Sequence, residues 1–397
     1  MRFGFSVRLS SRILSHAIAP CVLAFLSVGC RSTVNAGPTT SLLPTPTTGE
    51  ASSTAQGPAQ PTAEDAVADG HSDARAFIGK LVLSEGSALY RVDVACDQML
   101  MECTGESRRL TDTPALFVMP TWSPDGRKVL FASDLDPEVS DVLGVFLVGE
   151  WGGTPDTVAS AGHDPDWSPT GEQVVYATWE GGGRLMITPV GGGARIAVER
   201  PFASHPSWSP DGTRIAYVAD ARGSGTLSVL YLAEAAADLV GLGATGFIDW
   251  SPGGDRIAYT SASDNKAELF IHPVGITPGS IGRAQRISTD GSVSYPDWSP
   301  DGAQLAFVSR YEGNENIHVA TLGCTDGDEA CQVDVRQITG APDAETTPIW
   351  FPDSKHLVYL AGAGSSWRLE LIDVESHQAQ VILDHLTSPR DIDAHIR

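Results

Sequence analysis

The chain has 397 residues, and its 49 acidic residues outnumber its 26 lysines and arginines, which gives a formal net charge of −23 at pH 7. Charged residues make up 19% of the chain, below the quarter that is usual in soluble domains. So acidic a chain repels phosphate backbones, and no nucleic acid partner is expected.

Residues 1–29 predict an export signal. They contain three arginines and no acid, and residues 13–29 are mostly apolar but too short for a comfortable membrane span. The sequence Leu26-Ser-Val-Gly-Cys30 resembles a bacterial lipobox, which implies lipidation of Cys30, although Ser27 stands where that motif prefers leucine. The alternatives are ordinary cleavage after Ala36, which would secrete the protein, and an uncleaved anchor.

Residues 30–74 predict a disordered tether. They are rich in Thr, Pro, Ser, Ala and Gly and have almost no large apolar residues, so they cannot form a core. A free coil of this length reaches about 35–40 Å. The expected arrangement is a folded domain, residues 75–397, on a flexible tether from the cell envelope, facing the periplasm or the cell surface.

A tryptophan followed by a tight-turn sequence recurs six times, usually as Trp-Ser-Pro-Asp-Gly. The tryptophans are Trp122, Trp167, Trp208, Trp250, Trp298 and Trp350, at intervals of 45, 41, 42, 48 and 52 residues. Proline presets φ in such a turn, and glycine supplies a left-handed residue without steric cost. Repetition at about 40 to 50 residues is typical of β-propeller blades.

Each turn is followed by a short strand that is apolar on both faces, such as Ile215-Ala-Tyr-Val. Strands of this kind are covered on both sides, as the second strand of a blade is by its neighbours. A third strand and a fourth strand, such as Arg336-Gln-Ile-Thr, complete each repeat. The pattern therefore predicts an all-β fold with four-stranded antiparallel blades.

One blade has no tryptophan motif. Residues 80–84 and 88–94 have the pattern of second and third strands, and the C-terminal octapeptide 390–397 stands where a new first strand is due. We predict that this octapeptide pairs beside residues 80–84 and closes a ring of seven blades. The alternative, six blades, leaves one set of strands unexplained.

Four cysteines of the predicted propeller form two pairs of identical spacing, Cys96 with Cys103 and Cys324 with Cys331. Each pair lies between the third and fourth strands of one blade, so we predict two disulfides that staple surface hairpins, as expected after export. Free thiols are the alternative. A zinc site lacks further cysteines or histidines at the required spacing.

The turn, the strand after it and the Arg-Arg-Leu-Thr type of fourth strand together resemble the TolB-type propeller repeat over residues 76–397. Similar propellers occur in TolB, in prolyl oligopeptidases and in oligogalacturonate lyases. Such a repeat implies a fold and leaves the function open. A serine peptidase is excluded for this sequence, because it has no Gly-x-Ser-x-Gly motif and only 47 residues after Trp350.

The first strand of each blade lines the channel of a propeller, so the residues before each tryptophan are the candidate binding residues. Three positions before it stand Met119, Asp164, His205, Phe247, Tyr295 and Thr347. A divalent cation could be held by His163, His205, His395 and Asp164, as in the lyases that the repeat resembles. The alternative is that these are scattered polar residues at a channel mouth, with no cofactor.

Acids and tryptophans supply two further candidate sets. Asp166, Asp249 and Asp297 directly precede tryptophans, where we expect them to bond turn backbone within the blade; the alternative is an acidic ring that binds a cation or a basic peptide. Trp151, Trp179 and Trp367 are predicted near strand ends, as packing at blade edges or as a surface for a sugar or peptide.

The recurring motif residues of the sequence serve the structure of the blades, and the sequence contains no recognisable set of catalytic acid, base and nucleophile. We therefore interpret the protein as a monomeric, non-catalytic binding scaffold of the cell envelope, attached to the membrane only by its lipid. Its expected partner is an envelope protein or peptide, with a polysaccharide as the other candidate. The alternative function is a metal-dependent polysaccharide lyase.

Overall fold

The computed structural model describes residues 75–397 except 98–101, 136–142, 180–182, 192–195, 199–201, 220–224, 264–265, 289–291, 312, 325–330 and 397. Within the described ranges the chain forms seven four-stranded antiparallel sheets, the blades. No helix among these residues is long and apolar enough to cross a membrane. The predicted signal peptide, Cys30 and the tether lie outside the described residues.

The first four blades take their strands as follows. Blade 1 contains β1 (Arg75–Glu85), β2 (Ala88–Asp97), β3 (Glu102–Arg109) and β28 (Pro389–Ile396). Blade 2 contains β4 (Phe117–Trp122), β5 (Lys128–Ser133), β6 (Gly144–Gly149) and β7 (Asp156–Ala159). Blade 3 contains β8 (His163–Trp167), β9 (Gln173–Thr178), β10 (Arg184–Pro189) and β11 (Ile196–Val198). Blade 4 contains β12 (Ala203–Trp208), β13 (Arg214–Ala219), β14 (Thr226–Tyr231) and β15 (Ala236–Leu242).

The last three blades follow the same order. Blade 5 contains β16 (Ala244–Trp250), β17 (Arg256–Ser263), β18 (Lys266–Pro273) and β19 (Gln285–Arg286). Blade 6 contains β20 (Ser292–Trp298), β21 (Gln304–Tyr311), β22 (Asn314–Gly323) and β23 (Gln332–Gln337). Blade 7 contains β24 (Ala344–Trp350), β25 (His356–Ala363), β26 (Ser366–Asp373) and β27 (Ala379–Leu386).

The first strands of the blades form a closed ring around a channel. Each contacts the first strand of the next blade, from β4 through β8, β12, β16, β20 and β24 to β28, and β28 contacts β4 again. Strand β28 pairs antiparallel with β1, and Leu83 faces Ile392 while Gly79 faces Ile396. The predictions of seven blades and of closure by the C-terminal strand are therefore confirmed.

The ring has two faces, which we name by the ends of its strands. The lower face carries the turns that follow the six tryptophans. The upper face carries the starts of the first strands, from Phe117 in β4 to Ala344 in β24, and the hairpins between second and third strands. The channel opens on both faces between the first strands.

The core lies between neighbouring blades and not within one sheet. One cluster joins Val218 and Leu227 of blade 4 to Trp250, Ile257 and Tyr259 of blade 5, all of them buried. Truncating a large buried aromatic side chain to alanine costs about 3–5 kcal/mol. Since each cluster needs two blades, no blade can bury its apolar face alone.

The tryptophan turns have the geometry that their sequence predicts. In blade 4, the N–H of Gly212 donates to the carbonyl of Ser209 at 2.9 Å, and Gly212 has φ 71°. The hydroxyl of Ser209 donates to Asp211 at 2.5 Å, and the N–H of Arg214 donates back to that hydroxyl at 3.0 Å. These bonds occupy the backbone between the first and second strands of the blade.

Both predicted disulfides, Cys96–Cys103 and Cys324–Cys331, are formed. A glutamine of the preceding blade holds each one: Gln380 accepts the N–H of Cys103 at 2.7 Å, and Gln285 accepts the N–H of Cys331 at 2.7 Å. Structural disulfides are typical of exported proteins, so the structure supports export of the chain.

Candidate functional site

A β-bulge shapes the upper part of most first strands. Five residues that precede a proline have left-handed backbone, with φ between 50° and 52°: Met119, Asp164, His205, Tyr295 and Thr347. The register of each strand against its neighbour shifts at that point. A left-handed conformation costs a residue with a Cβ about 1–2 kcal/mol. Bulges of this kind commonly re-aim side chains next to functional sites.

Blade 5 departs from this pattern by one residue. It has no proline here, and Gly246, with φ 107°, takes the unusual backbone in place of Phe247. A Cβ on Gly246 would lie 2.8 Å from Nε2 of His205, so glycine is required by both its conformation and its neighbour. The six predicted residues thus all lie on first strands, but Phe247 does not hold the left-handed position.

Two carboxylates at this level connect neighbouring blades. The N–H of His205 in blade 4 donates to Oδ2 of Asp164 in blade 3 at 2.9 Å. The N–H of Met119 in blade 2 donates to Oδ2 of Asp391 in blade 1 at 3.1 Å. A hydrogen bond to an ionised carboxylate is worth about 1.5–3 kcal/mol, so these residues stabilise the ring where the strand is strained.

A second level of carboxylates lies further along the first strands: Asp166, Asp249 and Asp297 directly precede tryptophans, and Asp393 precedes Ala394. Each of these four acids accepts a hydrogen bond from the backbone N–H of the tryptophan in the next blade of the ring. The bonds are Trp122 to Asp393 at 2.8 Å and, at 2.7 Å each, Trp208 to Asp166, Trp298 to Asp249 and Trp350 to Asp297. The expectation that these acids act mainly within one blade is therefore incomplete, because the next blade offers an equally close N–H.

Asp393 is a member of this level that the sequence did not reveal. It is followed by Ala394, which stands where the other blades have tryptophan, so a search for the tryptophan motif passes over it. Aligning the C-terminal octapeptide with the other first strands would have found it, since Asp393 pairs opposite Val82 as a first-strand residue should.

These four acids hold their protons more firmly than ordinary carboxyls. Burial raises the pKa of Asp166 and of Asp249 to about 7, and that of Asp393 to about 6. Burial also raises the pKa of Asp297 well above its usual range, and the charges of Asp249 and Asp393 add to the effect. The backbone N–H groups of the tryptophans oppose this rise in pKa, because they donate hydrogen bonds to the ionised carboxylate.

Three of the four candidate metal ligands can be described. Of these, His163 and His205 both approach Asp164, where blades 3 and 4 meet. Nδ1 of His163 lies 3.0 Å and Nδ1 of His205 lies 3.6 Å from Oδ2 of Asp164. Burial would raise the pKa of Asp164, but the charge of His205 and the hydrogen bond from His163 outweigh it and lower the pKa to about 2. The ring of His163 stacks on Trp179 with centroids 4.0 Å apart.

Asp164 accepts hydrogen bonds from the ring of His163 and from the backbone N–H of His205, while Nδ1 of His205 lies 3.1 Å from the hydroxyl of Ser204. Across the described residues, no group of three or more His, Cys, Asp and Glu side chains is placed to hold a metal ion. The backbone of His395 lies in β28 opposite Lys80. Its side chain lies outside the described residues.

Phe247, Tyr295 and Thr347 border a cavity of about 270 Å³ in the channel, the channel cavity. Its walls come from the first strands of blades 5, 6, 7 and 1 and include Phe247, Tyr295, Thr347, Asp297 and Asp393. The rings of Phe247 and Tyr295 meet edge to face, with centroids 4.6 Å apart. Three of the six predicted channel residues therefore share one cavity. Asp164 and His205 belong to the neighbouring cluster, in which His205 adjoins Gly246 of the cavity wall.

Four exposed apolar side chains lie on the upper face of blades 2 to 4. Met119 is 40% exposed, Trp179 and Phe202 are each 56% exposed, and Leu242 is 68% exposed. Phe202 adjoins Gly183 of the hairpin that begins with Trp179. We call these four residues the upper apolar patch.

Of the other two tryptophans, Trp151 is exposed on the lower face, under the guanidinium of Arg91 at 4.2 Å from its centroid. Trp367 is half-buried against the core between blades 7 and 1, so it packs at a blade edge, the first of its two predicted roles.

Comparison with known proteins identifies the repeat. The family described as the TolB beta propeller domain matches residues 248–384, which run from blade 5 to blade 7. The TolB-type β-propeller repeat is identified in this part of the chain. No curated protein matches the sequence.

Solved structures resemble this propeller at low identity. A putative 6-phosphogluconolactonase from Bacteroides uniformis has a TM-score of 0.55 and 15% identity, covering 80% of this chain and all, 100%, of that one. The periplasmic gluconolactonase PpgL of Pseudomonas aeruginosa has a TM-score of 0.53 and 15% identity, covering 80% and 99%. TolB from Acinetobacter baumannii has a TM-score of 0.47 and 15% identity, covering 79% and 81%. At such identity these likenesses describe architecture.

Proposed function

We propose that this TolB-type propeller is an exported binding module of the cell envelope, which docks a protein partner on its upper face around the channel mouth. The supporting observation is the upper apolar patch. Contiguous exposed apolar surface on a soluble protein marks an interaction site more often than chance, and exposed tryptophan is the residue type most enriched at the centres of interfaces.

The lower face differs in a way that supports this choice. Its exposed tryptophan, Trp151, is already covered on one side by Arg91, which in turn bonds Asp93 at 2.6 Å and Glu150 at 3.2 Å. Trp179 is likewise covered on one side, but by the ring of His163, and the apolar residue Phe202 adjoins its hairpin. The two tryptophans are therefore a matched pair, of similar exposure and on opposite faces.

Site-specific photo-crosslinking in intact cells tests the docking face. A photoreactive phenylalanine analogue replaces Trp179 in one strain and Trp151 in another. We expect a discrete crosslinked species at position 179 that is absent at position 151, and we expect Phe202→Ala to reduce it severalfold. Crosslinking at 151 alone would place the docking site on the lower face and contradict the proposal.

We also propose that the module is held in the envelope through a lipid on Cys30 and the tether of residues 30–74. Cys30→Ser removes the thiol that accepts the lipid, so we expect the protein to leave the membrane fraction and to lose incorporation of labelled palmitate. If the wild-type protein instead begins at Gly37 and is soluble, ordinary cleavage after Ala36 has taken place and there is no lipid anchor.

The alternative function, a metal-dependent polysaccharide lyase, draws support from the two histidines that meet Asp164. In this function a divalent metal would replace the hydrogen bonds between these side chains. Metal analysis of the purified protein, with His205→Ala as the comparison, tests it together with an assay for cleavage of envelope polysaccharide. Stoichiometric metal lost in His205→Ala, with cleavage lost in parallel, would favour the lyase over the binding module.

A further inference from the structure

The channel cavity is lined by acids and contains no basic residue. Asp297 and Asp393 reach it from blades 6 and 1, and none of its eleven described lining residues is Lys, Arg or His. A cleft lined by one sign of charge inside a low-dielectric wall concentrates ions of the opposite sign.

A buried hydroxyl in the same wall has no partner. The side chain of Thr347 is only 7% exposed, and its Oγ1 makes no hydrogen bond within the described structure. Leaving a buried polar group unpaired costs about 1–3 kcal/mol. Thr347 is also held in a left-handed conformation, with φ 50°, so the strand bears two local costs at the residue that borders the cavity.

Two aromatic rings complete the wall. Phe247 and Tyr295 meet at 60°, which presents ring faces in two directions and no broad flat platform for a sugar ring. An ammonium group over such a face gains about 0.5–1 kcal/mol, and more when it is desolvated. Burial raises the pKa of Tyr295 to about 12, so its ring stays neutral and can accept a cation at its face.

We infer that the channel cavity binds a primary ammonium group on a slender alkyl chain, the chemistry of a lysine side chain. An ammonium group has three N–H donors, which match the two carboxylates and the Thr347 hydroxyl. The volume of about 270 Å³ admits a chain of this size rather than a drug-sized ligand. The inference deepens the proposed function and rests on it, because it names the group that a docked partner inserts.

The acids of the channel make this binding dependent on pH. Asp297 and Asp393 have raised pKa values, so a bound cation competes with their protons and affinity rises as pH increases from about 5.5 to 8. Asp166 on β8 repels Asp393, and Asp249 on β16 repels Asp297. Asp391 within β28, which interacts with Arg390, faces Tyr295. Glu315 faces Tyr295 from β22.

Calorimetric titration of the exported full chain with n-butylammonium chloride tests the inference. We expect saturable binding in the millimolar range and at least tenfold weaker binding of 1-butanol, which has the same chain without the charge. Asp297→Asn should weaken binding at least tenfold, and Thr347→Ala should weaken it severalfold, with Thr347→Ser restoring it. A change in the Thr347 methyl resonance on titration would place the ligand in the cavity.

Asp166→Asn is the matched control. Asp166 bonds a tryptophan N–H of the next blade just as Asp297 does, but it does not line the cavity. Asp166 acts on the cavity only through its charge near Asp393, so binding should weaken far less in Asp166→Asn than in Asp297→Asn. Equal weakening by the two variants would attribute the effect to ring stability and overturn the inference.

Three other outcomes would also overturn the inference: binding of 1-butanol as tight as that of butylammonium, tighter binding of glucosamine, and binding of calcium chloride without binding of butylammonium. The proposed function fails separately. If a partner crosslinks at position 179 but butylammonium does not bind, only the inference about the cavity is wrong. If butylammonium binds but nothing crosslinks at position 179, only the proposed docking face is wrong.

Discussion

The aspartates of the first strands show how one residue type connects structure and electrostatics in this protein. Three of them precede a tryptophan turn, Asp393 lies in the closing strand β28, and each accepts a backbone N–H from a neighbouring blade. Because the same acids face a common channel, they repel one another when ionised. The ring is therefore stabilised by these hydrogen bonds and destabilised by their combined charge.

The pKa of Asp249, raised to about 7, makes stability depend on pH. A folded state with a raised carboxyl pKa binds more protons than the unfolded state between about pH 4 and 7, so the free energy of unfolding falls as pH rises through that window. His356, whose pKa is raised by its hydrogen bond to Asp353, acts in the same direction at slightly higher pH. We expect the wild-type melting temperature to be lower at pH 8 than at pH 5.

Asp249→Asn should reduce this pH dependence by about 2–3 kcal/mol between pH 5 and 7, since one unit of pKa shift corresponds to about 1.4 kcal/mol. Thermal denaturation of both proteins at pH 5, 6, 7 and 8 measures it. Asp211, whose pKa is lowered to about 2, loses its stabilising effect only in more acidic solution and does not contribute in this range. Identical slopes for the two proteins would show that Asp249 stays ionised throughout.

At the residue scale the sequence predicted positions better than contacts. The spacing to tryptophan placed Phe247, Tyr295 and Thr347 at the channel, and the structure finds them around one cavity. It could not show that the hydroxyl of Thr347 would be left unpaired, because that depends on side chains from blades more than 40 residues apart in sequence. Asp393 was missed because the residue after it is not tryptophan.

At the scale of one strand, the β-bulge decides which side chains face the channel. A proline follows the left-handed residue in five blades, and glycine replaces this device in blade 5. The X-Pro pairs are visible in the sequence, but a residue before proline ordinarily has extended backbone. Local rules therefore argue against the observed conformation, and the packing of the ring imposes it.

Gly246 gives a test of that strain. In Gly246→Ala the new Cβ would meet the ring of His205 at 2.8–2.9 Å, at a residue with φ 107°. We expect a destabilisation of about 1–3 kcal/mol from the backbone, increased by displacement of His205 from Asp164. Chemical denaturation measures the first effect, and the resonances of His205 report the second.

Gly279→Ala is the control for backbone strain alone, because Gly279 has φ 81° and a Cβ added there would meet no other atom within 4 Å. It should be destabilised less than Gly246→Ala, with the His205 resonances unchanged. Equal destabilisation would mean that the contact between Gly246 and His205 carries no energy of its own.

At the scale of the whole molecule, closure by β28 connects the two ends of the propeller. Ile392 and Ala394 pack against the core that Leu81 and Leu83 share with blade 7. Asp393 accepts the N–H of Trp122 in blade 2. The C-terminal strand therefore contributes to the sheet of blade 1 and to both of its boundaries.

Deleting residues 389–397 should abolish the folded monomer, since it opens one edge of β1 and exposes the core between blades 7 and 1. Size-exclusion chromatography and tryptophan fluorescence would show aggregated or expanded protein. Deletion of Arg397 alone should leave both unchanged. A truncated chain that remains monomeric and native-like would show that the ring does not depend on this strand.

The sequence alone determined the architecture, because a repeated turn, a strand apolar on both faces and an unpaired C-terminal segment admit few arrangements other than a closed ring. It also determined the two disulfides, because the two cysteines of each pair are close in sequence and lie on the same hairpin. Only the tertiary structure decided which first-strand residues meet. Those contacts join blades that are distant in the chain, and their geometry follows from the closure of the ring and the bulge in each strand.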